Sequence, residues 1–142
     1  MSSPDAQNNK VPEVVGRNNP FAMVTVFVCT SCGLIEGAED QSNSDGRRLH
    51  NDLKALAATQ PHISIQSVDC LAVCDKSVTI AFTSPQKWTY VIGGVDAEGD
   101  SEGILSVAHS ILKSESGVPA MIDRPPFFRK GVISRLPPVP FR

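Results

Sequence analysis

Four cysteines constrain this chain more than any other feature. They fall in two close pairs, Cys29-Thr30-Ser31-Cys32 and Cys70-Leu71-Ala72-Val73-Cys74, and the 142 residues contain no others. Each pair lies just beyond a run of strand-forming residues. Four thiolates are what a tetrahedral zinc ion or an iron–sulfur cluster requires. Thirty-seven residues separate Cys32 from Cys70, room for a loop, a helix and a returning strand. If the two strands are parallel neighbours, roughly 5 Å or two such steps apart, both pairs emerge at one edge of a sheet.

The segment Met23-Val24-Thr25-Val26-Phe27-Val28 is continuous, apolar and β-branched, which predicts a first strand buried on both faces. A polar, irregular stretch follows from Gly33 to Asn43. Ser44 or Asp45 then caps a helix reaching about Ala58, with Leu49, Leu53 and Leu56 at helical spacing. Ile63 to Val68 reads as a second strand that runs into Asp69 and Cys70. Beyond Cys74, Val78, Ile80 and Phe82 alternate, Ser84-Pro85-Gln86 turns the chain, and Trp88, Tyr90 and Ile92 alternate on the return. A last helix runs from about Asp100 to Ser114, with Ile104, Leu105, Ala108, Ile111 and Leu112 as its apolar stripe, and Gly117 and Pro119 stop it. The predicted order is β-α-β-β-β-α, an α/β layer with a mixed sheet.

The flanks differ from this core. Residues 1–20 are polar and read as a disordered leader, leaving residues 21–117 as the folded domain. Residues 118–142 hold six of the eleven prolines and five basic residues against Asp123 alone, so a basic segment follows an acidic body. The prolines predict a strap without regular helix or sheet. Met121, Ile122, Phe127, Phe128, Val132, Ile133, Leu136 and Phe141 predict that it docks, either on the domain or on a second copy in a homodimer.

Charge and hydropathy exclude several classes. No basic stripe marks the body, so no nucleic-acid partner is expected. No apolar run is long enough to cross a bilayer, and the first twenty residues lack the apolar core of a signal peptide. A cytoplasmic location follows, where thiols stay reduced and four cysteines favour metal over disulfides.

The donor set leaves three readings. Zinc in all-cysteine sites favours tight knuckles on a small ribbon, whereas the second pair here has three spacers. A 2Fe–2S cluster takes two sulfurs per iron, and Thr30, Ser31 and Gly33 are small neighbours suited to it. Leu71, Ala72 and Val73 would give its second loop an apolar cover. A redox dithiol at Cys29 and Cys32 leaves the second pair unexplained, and Lys76 and Ser77 lack the proline that dithiol enzymes place before the next strand.

The second pair, with the element order, resembles thioredoxin-like 2Fe–2S ferredoxins and the related subunit of respiratory complex I. The shorter first spacing departs from that pattern. Val26 to Cys32, Cys70 to Cys74, Tyr90-Val91-Ile92-Gly93-Gly94, Arg124-Pro125 and Ser134 to Pro138 also resemble a bacterial family of predicted metal-binding proteins. That family has unknown function and is often encoded near cobalamin genes. The resemblance implies a thioredoxin-like ferredoxin fold and a 2Fe–2S cluster on Cys29, Cys32, Cys70 and Cys74, with zinc as the alternative. It implies a one-electron carrier rather than an enzyme, served by a partner reductase or oxidase.

Other candidates read as ordinary structure. His50, His62 and His109 lie away from the cysteines and read as solvated side chains. Trp88 and Tyr90 alternate on a strand and read as core. Asp69 and Asp75 flank the second pair, where they would orient a partner or lower a cluster potential. No phosphate-binding loop or nucleophile–base constellation is present.

Overall fold

A computed structural model of the chain describes residues 23–30, 44–72 and 76–138. The leader expected over residues 1–20 lies outside them. The strands and α-helices among the described residues are, in order, β1 (Val24–Cys29), α1 (Asp45–Leu56), β2 (Ile63–Val68), β3 (Ile80–Thr83), β4 (Thr89–Ile92), α2 (Ser101–Lys113), α3 (Pro126–Gly131) and β5 (Val132–Leu136). The strands form one mixed sheet in the order β2-β1-β3-β4-β5. β1 and β2 are parallel, with Val24 opposite Ile63 and Cys29 opposite Val68. The remaining neighbours are antiparallel.

Alternation decides which face is covered. Val24, Val26 and Val28 of β1 are fully buried, as are Ile80, Phe82 and Ile92 on β3 and β4. Leu49 and Leu53 of α1 and Ile104, Val107, Ala108 and Ile111 of α2 complete the core. Both helices pack on β1 and on each other, so they share one face. Thr25 and Phe27, which point the other way, are half-buried. The expectation that β1 is buried on both faces is therefore corrected. A continuous apolar run is ambiguous between the two cases, and the placement of the helices decides.

The C-terminal segment also departs from expectation, because it carries a helix and a fifth strand. Its prolines bracket these elements instead of interrupting them. Pro126 stands in the first turn of α3, where a missing N–H costs nothing. Pro137 and Pro138 follow β5. The predicted docking on the domain is present. Phe128 is buried, its ring centroid 5.0 Å from that of Tyr90 and 6.3 Å from that of Phe82. The Arg135 guanidinium sits 4.5 Å over the Trp88 ring, and that of Arg124 lies 5.7 Å from the Phe128 ring. Met121 and Ile122 remain exposed, so only part of the apolar content docks. Among the described residues, no helix is long and apolar enough to cross a membrane.

Candidate metal centre

The sheet register gathers the ends that matter. Cys29 closes β1 beside Val68, the last residue of β2, and Val28 faces Ile80, which opens β3. Ile80 in turn faces Ile92 and Ile92 faces Val132. One edge of the sheet thus carries Cys29, Asp69 and Cys70, the chain entering β3, the Gly93–Gly94 exit of β4 and the α3–β5 junction. The structure brings Cys29 and Cys70 to this edge. Cys32 and Cys74, with Ser31, Gly33, Val73 and Asp75, lie outside the described residues.

Cys29 is 2% exposed. Its N–H donates to the Thr79 carbonyl at 3.1 Å, and its thiol lies 3.7 Å from the carbonyl oxygen of Asp69, the residue before Cys70. Thr30 continues the ladder, donating to the Val68 carbonyl from its N–H at 2.9 Å and from its hydroxyl at 3.0 Å. Its own carbonyl accepts from the Ser44 hydroxyl at 2.5 Å. Ser44 is also the cap of α1, its oxygen accepting from the Arg47 N–H at 3.0 Å. One residue into the helix beyond Asp45, the backbone of Gly46 presses on the Cys29 carbonyl, and any side chain there would collide with it.

At the second turn Leu71 packs against the core, but the cysteine does not. Cys70 stands two residues past β2 and is exposed. Its sulfur accepts from the Ala72 N–H at 3.1 Å, a contact of the kind that tunes a metal-bound thiolate. Ala72 holds a φ of 67°, the left-handed region that non-glycine residues adopt at a cost of order 1 kcal/mol. Downstream, the Lys76 carbonyl accepts from the Gly94 N–H at 2.7 Å, and the Gly93 N–H donates to the Gly131 carbonyl at 2.8 Å. A Cβ on Gly93 would lie 2.7 Å from both Lys76 Cβ and Ile133 Cδ1. The C-terminal segment is thus tied through β4 to the chain leaving the second turn.

Both described cysteines offer soft sulfur donors at one edge, and the Ala72 N–H already points at one sulfur, so these residues fit a thiolate-held metal centre. Among the described residues no three or more histidine, cysteine, aspartate or glutamate side chains cluster as metal ligands. Two of the four predicted cysteine ligands are not among them.

His50 corrects an expectation. It is 8% exposed, not solvated, and burial, with the charges of Arg47 and Lys54, pushes its pKa below the usual imidazole range despite its contact with Asn51. His62 and His109 are half-buried. Tyr90 is core as expected and Trp88 is half-buried. Asp69 is exposed beside Cys70. Sequence reasoning missed Ser44 as a partner of Thr30 and Gly46 and Gly93 as contact points. The capping pattern located Ser44, but nothing local shows that its hydroxyl also reaches back fourteen residues.

The mixed five-stranded sheet with its helices resembles in fold the thioredoxin-like ferredoxins. A thioredoxin-like [2Fe-2S] ferredoxin from Aquifex aeolicus matches with a TM-score of 0.52 at 19% identity, over 82% of this chain and 96% of that one. A cysteine-to-serine variant of the Aquifex aeolicus thioredoxin-like [2Fe-2S] ferredoxin gives 0.51 at 19% identity, over 79% and 99%. The wild type gives 0.50 at 20% identity, over 79% and 97%. At such identity the likeness establishes the fold. The chain belongs to the family described as "Protein of unknown function (DUF1636)", whose model matches residues 26–138. No curated protein matches it.

Proposed function

We propose that this protein is an iron–sulfur electron carrier that binds a 2Fe–2S cluster through Cys29, Cys32, Cys70 and Cys74. The observation that carries the reading is the convergence of the two turns, with the Cys29 thiol 3.7 Å from the carbonyl of the residue preceding Cys70. The similarity in fold to a [2Fe-2S] ferredoxin supports it. When bound, such a cluster accepts and returns a single electron. The chain's own residues hold the sulfurs at the sheet edge, bury Cys29 and leave Cys70 open to a partner. The burial of Cys29 argues against a dithiol oxidoreductase, whose attacking thiol needs access.

The reading includes a cytoplasmic location and a redox partner, a reductase or oxidase. A groove of about 590 Å³ beside the second turn, lined by Lys76, Lys130, Phe127 and Ile133 among others, offers that partner a mixed charged and apolar surface. Pairing of two copies through the C-terminal segment belongs to the same proposal, on its exposed Ile122, Val132 and Leu136. A link to cobalamin metabolism rests on family resemblance alone.

Purification without air tests the reading. The expected product is red-brown, contains iron and sulfide, bleaches with dithionite and gives the paramagnetic signal of a one-electron-reduced two-iron centre. A colourless protein with about one zinc would replace the cluster by a structural four-thiolate site.

A further inference from the structure

The first turn of α1 and the Cys29–Thr30 turn are joined more closely than helix packing requires. Ser44, 2% exposed, uses its hydroxyl twice, donating to the Thr30 carbonyl and accepting from the Arg47 N–H. Gly46, also buried, lets the helix backbone rest against the Cys29 carbonyl. The remaining groups of the turn are fixed from the sheet, through Val68, Thr79 and Asp69. A capping serine would satisfy its helix without touching Thr30, and a helix start needs no glycine. The second use of Ser44 and the identity of Gly46 are therefore explained by the cysteine turn.

We propose that Ser44 and Gly46 are positioning residues for Cys29. They clamp the Cys29–Thr30 turn between the start of α1 and the end of β2, so that the Cys29 sulfur stays buried beside the Asp69 carbonyl. Ser44 acts through the Thr30 peptide, and Gly46 acts by permitting the contact. The clamp also keeps the positive end of α1 against the turn, where it favours negative charge. This inference rests on the reading of Cys29 as a cluster ligand, and its first test does not depend on a bound cluster.

Two substitutions separate the clamp from the cap. Ser44→Ala removes both hydrogen bonds. Ser44→Asp keeps an acceptor for the Arg47 N–H but cannot donate to the Thr30 carbonyl. Ile111→Val in α2 serves as a control that destabilises the core modestly and away from the site. In metal-free full-length protein, iodoacetamide labelling of Cys29, followed by mass spectrometry, should speed up about tenfold in both Ser44 variants and stay unchanged in the control. In iron-loaded protein, both variants should release iron to a chelator about tenfold faster. The midpoint potential of Ser44→Ala, which adds no charge, should fall, because the helix terminus no longer holds against the turn. Gly46→Ala should act in the same direction. Wild-type labelling in Ser44→Asp, or an equal rise in Ile111→Val, overturns the clamp. Wild-type protein without iron or sulfide sinks the cluster reading, while the labelling result still decides the clamp.

Discussion

Cys29 ends a strand, is 2% exposed and is fixed from β2, from the chain entering β3 and from α1, whereas Cys70 stands beyond its strand and is exposed. The first turn is held by Val68 at the end of β2, by Asp69 and Thr79 beside the strands and by Ser44 at the cap of α1, and both of its described residues are buried. Among the described residues of the second turn, Leu71 packs against the core, the Ala72 N–H meets the Cys70 sulfur and Ala72 is left-handed, while Lys76 downstream is tied to Gly94. The difference teaches that one sheet edge supplies two kinds of support: a buried side that fixes geometry and an open side that meets solvent. In the proposed electron carrier this arrangement would set the buried Cys29 inward and the exposed Cys70 toward a partner.

The largest expected effect removes the contrast altogether. If the proposed cluster is bound, Cys29→Ser and Cys70→Ser should each weaken or abolish the binding of iron and sulfide and alter the visible spectrum, since each removes one thiolate donor. A variant that kept the wild-type spectrum would show that its cysteine is not a ligand.

The contrast itself is read in metal-free protein under reducing conditions. Cys70 should react with iodoacetamide about tenfold or more faster than Cys29, because reaching Cys29 requires local opening of a buried turn. Equal rates would mean that the first turn is not held as the structure has it.

The same sheet edge can be loosened from β4. Gly93→Ala forces a methyl group against Lys76 and Ile133 and should lower stability by about 1–3 kcal/mol in urea titrations. In the same variant, labelling of buried Cys29 should rise while that of exposed Cys70 changes little, because the Lys76 carbonyl also accepts from the Thr79 hydroxyl and the Thr79 carbonyl holds the Cys29 N–H. Unchanged labelling of Cys29 would mean that Gly93 does not support the first turn.

The smallest effect tunes the buried side through pH. Burial holds the folded-state pKa of His50 below the usual 6.5, so the unfolded chain takes up the proton first as pH falls. The stability associated with neutral His50 is present above about pH 6.5 and is lost as pH drops through the lowered folded value. Thermal unfolding midpoints should decline over that window. His50→Gln should flatten the decline, and an unchanged profile in that variant would assign it to other groups.

Local pattern determined much of this protein. The six strand residues Ile63 to Val68 were legible from composition and flanking turns, and the Leu49–Leu53 stripe with Ser44 ahead of it placed α1. The β3–β4 hairpin followed from alternation about Ser84-Pro85-Gln86, where Gln86 takes a φ of 61°. The spacing of the cysteine pairs, read with the strand order, placed Cys29 and Cys70 at one edge. Such features are legible because periodicity records which side of an element meets water.

Contacts between distant residues left no comparable trace, and only the tertiary structure decided them. β5 exists because β4 presents an unpaired edge to Val132–Leu136, and no property of that short segment announces its partner. His50 is buried on a helix whose other charged residues point outward. Lys87 is 6% exposed because its ammonium donates to the carbonyls of Ile111 and Leu112 at 2.9 and 3.1 Å, closing the end of α2, and burial lowers its pKa. Gly46 and Gly93 are glycines because backbones from remote parts of the chain meet there. A sequence records the demand of each residue for water or burial, whereas close approach and edge pairing belong to two segments at once and arise only when both are in place.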